Sequence, residues 1–200
     1  QPIFVDDQDR RAYVDALHTA AGAHQVGIHA FVLLDDQVQW LATPQDAQGL
    51  SRTVQAIGQR FVGAFNRRHG LRGTRWEGRF RSAVVEAAVW GLPLSMMIEQ
   101  EPVAKKWVTE AAQWPWSSAR HHLGQERLPW LVDSPVLWQL GNTPYEREAA
   151  YAASLKTSQS EELKRALTHA SARGWAYGSE SFLALIAKTE AAVKDRLTKE

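Results

Sequence analysis

Val26 to Leu41 is the stretch that most narrows the choice of fold. A mainly apolar run from Val26 to Leu34 is followed by Asp35-Asp36 and then by the alternating segment Gln37 to Leu41, a pattern that reads as two strands joined by a two-residue turn. Side chains two apart on a strand point the same way, so Gln37 and Gln39 share one face and Val38 takes the other.

Helices flank this hairpin. Asp6 and Asp7 are placed to cap a helix that runs to about Ala23, with Tyr13, Leu17 and Ala20 or Ala21 on its buried side. A second helix, from about Leu50 to His69, is expected to bury Leu50, Val54, Ile57, Phe61 and Phe65 and to stop at Gly70. The glycine-broken loop after it leads into an expected strand from Arg79 to Glu86, in which Arg79 and Arg81 would alternate with Phe80 and lie on one face. A third helix is expected from about Trp90 or Pro93 to Glu99. Trp114-Pro-Trp-Ser-Ser reads as a turn whose serine caps a short helix at Arg120 to Leu123. From Pro144 onward the pattern is helical, over Tyr145 to Lys156, Ser160 to Ala172 and Ser179 to Lys199.

The net charge of +1 conceals a strong asymmetry. Ser51 to Arg81 carries eight arginines (Arg52, Arg60, Arg67, Arg68, Arg72, Arg75, Arg79 and Arg81) against Glu77 alone, which makes it +7; fifteen bases and twenty-one acids leave the remainder at −6. Guanidinium groups fork onto phosphate and stack on bases, so this segment is a candidate polyanion surface, with Arg60, Arg67, Arg68, His69, Arg72, Arg75, Arg79 and Arg81 as its contacts. Zero cysteines exclude disulfides and thiolate metal sites and fit the cytoplasm. No run approaches the roughly 18 apolar residues that would span a bilayer, and no signal-peptide pattern opens the sequence. Most of the nine tryptophans should pack, leaving one or two for base stacking.

Several stretches, in order and spacing, carry a family resemblance over residues 1–124. They are Gln1-Pro-Ile-Phe with the acidic helix start, the hairpin, Phe65-Asn-Arg-Arg-His-Gly, Trp76-Glu-Gly-Arg-Phe, Ile98-Glu-Gln-Glu-Pro-Val and Trp114-Pro-Trp-Ser-Ser-Ala-Arg-His-His-Leu-Gly. The chain resembles the single-tyrosine HUH transposases, in the branch that includes the REP-associated tyrosine transposases, and residues 125–200 look more weakly like that branch's C-terminal extension. The resemblance implies an α+β fold: a ferredoxin-like antiparallel sheet with helices packed on it, which dimerises, plus a helical C-terminal extension. The family's first strand precedes the match to Gln1-Pro-Ile-Phe, and no methionine starts the sequence, so the chain is expected to be a fragment of a longer protein.

Family members cleave single-stranded DNA with a tyrosine, aided by a divalent ion held by His-x-His and a third side chain. In this sequence the two histidine positions fall on Gln37 and Gln39, the tyrosine position on Met97, and the third ligand position on Glu101. Amide oxygens are weak ligands and a thioether cannot attack phosphorus, so the chain reads as a catalytically degenerate member, not an enzyme, with no metal or other cofactor. Glu101 is expected as a solvated helix-end charge, with a cation ligand as the other option. Tyr13, Tyr145, Tyr151 and Tyr177 lie outside the helix that should present the nucleophile. His29 reads as structural, and His121 and His122, being adjacent, cannot both face one metal from a regular helix and are expected at the surface or in packing.

Three functions follow. The first is a nucleic-acid-binding protein for single-stranded or hairpin DNA, with structured RNA as a second candidate, acting as a homodimer without a membrane. The second is an altered metal-dependent nuclease that uses Glu101. The third is a protein–protein interaction module in which the arginines merely solvate a surface.

Overall fold

The structure, a computed structural model, describes residues 2–156 and 161–197. It is a mixed α+β arrangement of eight helices, among the described residues, around a small two-stranded antiparallel sheet. Helix α1 (Asp7–Ala23) starts where expected: Asp6 accepts the N–H groups of Gln8 and Asp9 at 3.0 and 3.1 Å. Strands β1 (Val26–Leu33) and β2 (Val38–Pro44) follow, and Leu34 N–H donates to Gln37 O at 2.8 Å across the Asp35-Asp36 turn.

One residue of β1 lies outside the regular pairing. Ile28 pairs with Ala42 and Ala30 with Leu41, which leaves His29 as a bulge. The extra residue reverses the alternation, so Ile28, Phe31 and Leu33 all face the core built by α1, with Val38, Trp40 and Ala42 of β2 beside them. Val32, Leu34 and Leu41 take the opposite face, against Ile98. His29 is structural, as expected: Nδ1 donates to Val132 O at 2.7 Å, which leaves Nε2 to accept from Thr43 Oγ1 at 2.8 Å.

The far edge of β1 is closed by irregular chain. Val132 N–H donates to Ile28 O, Ser118 N–H to Phe31 O and Leu33 N–H to Trp116 O, at 2.9, 3.0 and 2.8 Å. Helix α5 (Ala119–His122) follows directly. Of the two serines expected to supply its cap, Ser117 Oγ accepts Ala119 N–H at 3.3 Å, whereas Ser118 turns its Oγ inward, away from the α5 amides, to Phe31 N–H at 2.9 Å and to Glu99.

Helices α2 (Gly49–Ile57) and α3 (Gly63–His69) are joined without a break by a π turn over Gly58–Val62, and Gly70 ends them at φ 63°. The buried stripe is Thr53, Ile57, Phe61 and Phe65, whereas Leu50 and Val54 are half-buried. Four-residue steps drift by about 40° each in an α-helix, and the wider i→i+5 turn absorbs that drift, so the aromatics stay on one face. Phe61 meets Phe4, Tyr13 and Phe65 at centroid distances of 5.6, 5.3 and 5.8 Å.

Helix α4 (Ala87–Ala104) is longer than expected and continues through Pro93 and Pro102. Burial on several sides overrides the prolines: Ile98 packs on β1, Met96 on Tyr151 and Leu155, and Leu94 on Leu163 and Leu167. Helices α6 (Pro144–Leu155), α7 (Glu161–Arg173) and α8 (Glu180–Leu197) match the expected C-terminal helices closely; Ser160 and Lys199 lie outside the described residues. No helix among the described residues is long and apolar enough to cross a membrane.

Phe61→Ala is expected to cost about 3–5 kcal/mol and Val54→Ala much less, because only the first empties a fully packed site. Urea unfolding midpoints at an unchanged slope measure the difference.

Candidate nucleic-acid interface

The arginine-rich segment begins in the π turn, which carries Arg60, and continues through α3, which carries Arg67; both side chains are exposed. Beyond Gly70 the chain is irregular, with Gly70, Gly73 and Gly78 at φ 63°, 89° and 79°. Its first part is pinned to the core. Asn66 Nδ2 donates to Gly73 O at 2.8 Å, the Arg75 guanidinium lies over the Phe65 ring at 5.3 Å, and Trp76 meets Tyr13 and Phe61 at 6.1 Å.

The strand expected over Arg79 to Glu86 does not form. Val85 makes one isolated parallel bridge, to Tyr177, and no strand among the described residues lies alongside. An alternating pattern becomes a strand only where a partner edge takes up its N–H and C=O groups, so Arg79 and Arg81 flank an exposed Phe80 on open chain instead of sharing a strand face.

The arginines divide into two classes. Arg52 is paired with Asp46 at 2.5 Å. Arg68 Nη1 donates to Asp6 Oδ1 and Asp9 Oδ1 at 2.7 and 2.6 Å, and its Nη2 also bonds Asp6. His69 Nε2 sits 3.0 Å from both oxygens of Asp9, a carboxylate only 2% exposed that also accepts Val5 N–H at 2.9 Å. Arg68 and His69, two of the expected phosphate contacts, are therefore engaged by the first turn of α1. Among the described residues, Arg60, Arg67, Arg72, Arg79 and Arg81 have no carboxylate within ion-pair distance.

The lock on α1 shifts its acids. The Arg68 bond holds the Asp6 carboxyl far below the usual carboxylate range. Burial pushes Asp9 up, but His69, the Val5 amide and Arg68 together outweigh it and hold Asp9 low as well.

The positions matched to the family's catalytic groups lie elsewhere. Alternation puts Gln37 and Gln39 on the Leu41 face of β2, and Leu41 packs in one apolar cluster with Met97, Leu94, Leu163 and Leu167. Glu101 is not the solvated charge expected: its side chain is 6% exposed and pairs with Lys164 of α7 at 2.8 Å. Met97, Glu101 and Lys164 border a groove of about 770 Å³. Tyr13 and Tyr151 are buried, Tyr145 is exposed, and the Tyr177 ring rests on Trp90 at 5.1 Å in the Met97 cluster. No group of three or more His, Asp or Glu among the described residues is arranged to hold a metal ion.

At the candidate positions, two pairings escaped the sequence reading, Arg68 with Asp6 and Asp9, and Lys164 with Glu101. Both join residues about sixty apart, and the only local signal was the cap at Asp6. Comparisons with protein-family models, with curated proteins and with solved structures found no match.

Acids held low in the folded state contribute stability above their ordinary range, near pH 3.9, and that contribution is lost as pH falls through the folded values. Arg68→Gln should therefore be less stable than the parent at neutral pH, with the gap narrowing as pH drops below about 4. Thermal midpoints across that range check it.

Proposed function

We propose that this chain is a nucleic-acid-binding protein derived from a single-tyrosine HUH transposase, which takes structured single-stranded DNA such as a hairpin, or structured RNA, without cutting it. One observation carries the reading: five exposed arginines between Arg60 and Arg81 have no carboxylate partner among the described residues, while Arg52 and Arg68 nearby are paired. A guanidinium held by an internal carboxylate has little to offer a phosphate, whereas a free one releases counterions on contact and binds in a salt-dependent way. Phe80, 46% exposed between Arg79 and Arg81, offers an apolar ring on which an unpaired base can stack.

The absence of cleavage follows from the chemistry of the substituted positions. Gln37 and Gln39 are poor ligands, Met97 is no nucleophile, and the one carboxylate at the site, Glu101, is already neutralised by Lys164. On this reading the β1–β2 hairpin belongs to a ferredoxin-like sheet, and the protein works in the cytoplasm as a homodimer with no bound cofactor. Dimerisation would cover the outer edge of β2, which has no neighbouring strand among the described residues.

A binding titration against hairpin, single-stranded and duplex DNA and RNA, from about 50 to about 200 mM salt, tests the reading. Arg79→Glu with Arg81→Glu should weaken binding to all sequences alike and flatten the salt slope by about 0.7 to 0.9 per phosphate lost. Lys105→Glu with Lys106→Glu should leave it unchanged. Parent-like binding by the Arg79/Arg81 pair at low salt would falsify the placement of the surface. Incubation of the parent with oligonucleotide and divalent metal should yield no covalent phosphotyrosine adduct; finding one overturns the non-cleaving assignment.

A further inference from the structure

A second cluster of polar groups is built on α4, and none of the functions above uses it. Glu99 has a fully buried side chain and accepts three side-chain hydrogen bonds. Ser118 Oγ donates to Oε1 at 2.5 Å, His122 Nδ1 to Oε1 at 2.6 Å, and Tyr151 OH to Oε2 at 2.7 Å. The donors come from three places: the segment that closes the far edge of β1, helix α5, and the middle of α6. One carboxylate on α4 thus ties together parts of the chain that local sequence does not join.

His122 is the titratable partner at its centre. Its side chain is 2% exposed and its ring lies 4.9 Å from that of Tyr151. Because Nδ1 points at a carboxylate, it keeps its proton in both charge states, and the proton that comes and goes is the one on Nε2. Nε2 is buried and has no hydrogen-bond partner among the described residues. No acceptor holds that proton in place; what favours it is the negative charge of Glu99 on the far side of the ring. The other charged or titratable groups facing His122 are Tyr151, His121, whose ring is 5.4 Å away, and Asp133, which lies 3.6 Å from His121 Nε2.

We propose that Glu99 and His122 form a proton-dependent latch that holds α6 and residues 116–122 against α4, closed while His122 carries its second proton and slackened when that proton leaves. Loaded, the node is a buried ion pair with its remaining lone pairs satisfied by Ser118 and Tyr151. Unloaded, it is a carboxylate charge left in the interior with only neutral donors around it, the costly case for a buried charge. The strain falls on the donors that can move away, which are the hydroxyl of α6 and the Ser118 segment.

The electrostatics agree with this direction. Burial pushes His122 down, but the charge and hydrogen bond of Glu99, with Asp133 in support, outweigh it and raise His122 above the ordinary imidazole range. Burial and then the Glu99 charge push Tyr151 well above its usual value, so its hydroxyl remains a donor throughout. Burial, followed by the neighbouring His122 charge, holds His121 low, so it stays neutral while His122 is loaded. A group raised in the folded state contributes stability that is complete below the unfolded value, about 6.5, and is lost as pH rises through the folded value. The latch therefore weakens toward alkaline pH, by at most about tenfold in the opening constant per pH unit for one proton.

Hydrogen exchange of the full chain between about pH 6 and about pH 8.5, corrected for intrinsic exchange, tests it. Protection in residues 145–155 and 116–122 should fall with pH by up to about tenfold per unit, while α1, which takes no part in the node, stays level. His122→Gln should abolish that dependence. Tyr151→Phe, which removes a single hydroxyl, should lower protection in α6 yet keep the dependence, and His121→Asn should keep it too. Protection in the parent that does not change with pH overturns the latch, as does a His122→Gln chain that retains the parental profile. Should His122→Gln fail to fold, the imidazole titration of the parent by NMR decides: a midpoint above the ordinary range supports the latch, and one at or below it overturns it.

Discussion

A single strand, β1, sets the terms for the rest of the molecule. It is buried on both faces, so every N–H and C=O along it must find a protein partner. β2 satisfies one edge, and the other is met by the backbone of Trp116, Ser118 and Val132. Bringing residues so distant in sequence to the far edge of β1 draws α4 across the face between them. That placement puts Glu99 within reach of Ser118 and sets Met97 beside Leu41. Part of the C-terminal region is built into the same body: Trp130 packs on Phe31 at 5.5 Å, and Tyr151 and Leu155 share a core with Met96 and Ala119.

The carboxylates are distributed as selectively as the arginines. Asp6 and Asp9 hold Arg68, Asp7 and Asp35 hold Arg10, Asp46 holds Arg52, and Glu101 holds Lys164. Apart from Asp7 with Arg10, which lie within α1, each of these pairs fixes one element against another or closes a turn. Over Arg60 to Arg81 no such restraint applies to the five exposed guanidiniums among the described residues, and repulsion between these like charges is left unrelieved by any carboxylate there. The distinction is invisible in a net charge of +1.

What the sequence made legible was local. The Asp6 cap, the Asp35-Asp36 turn, the stop at Gly70 and the start of α6 at Pro144 each depend on residues within four positions of one another, and each stands where it was read. Position-by-position reading failed where a distant neighbour decided the outcome. Arg79-Phe80-Arg81 has a strand's alternation but no partner edge; α4 has two prolines but packing on several sides; Glu101 looks like a helix-end charge until Lys164 arrives from α7. Of the candidate interface, the composition was readable, but which arginines were already engaged was not, because Asp6 and Asp9 lie about sixty residues away from Arg68.

The π turn between α2 and α3 acts as a phase shifter. With about 100° of rotation per α-helical residue, a turn that takes in one extra residue sets everything after it back by roughly that angle from where an unbroken α-helix would put it. Arg67, Arg68, His69 and the terminating Gly70 all lie downstream of the turn. Which way the basic end of this helix looks is therefore governed by a count of residues and not by the chemistry of any side chain. Wound as an unbroken α-helix from Gly58 to Val62, the same chain would keep every arginine it has and aim them at a different quarter of the surface.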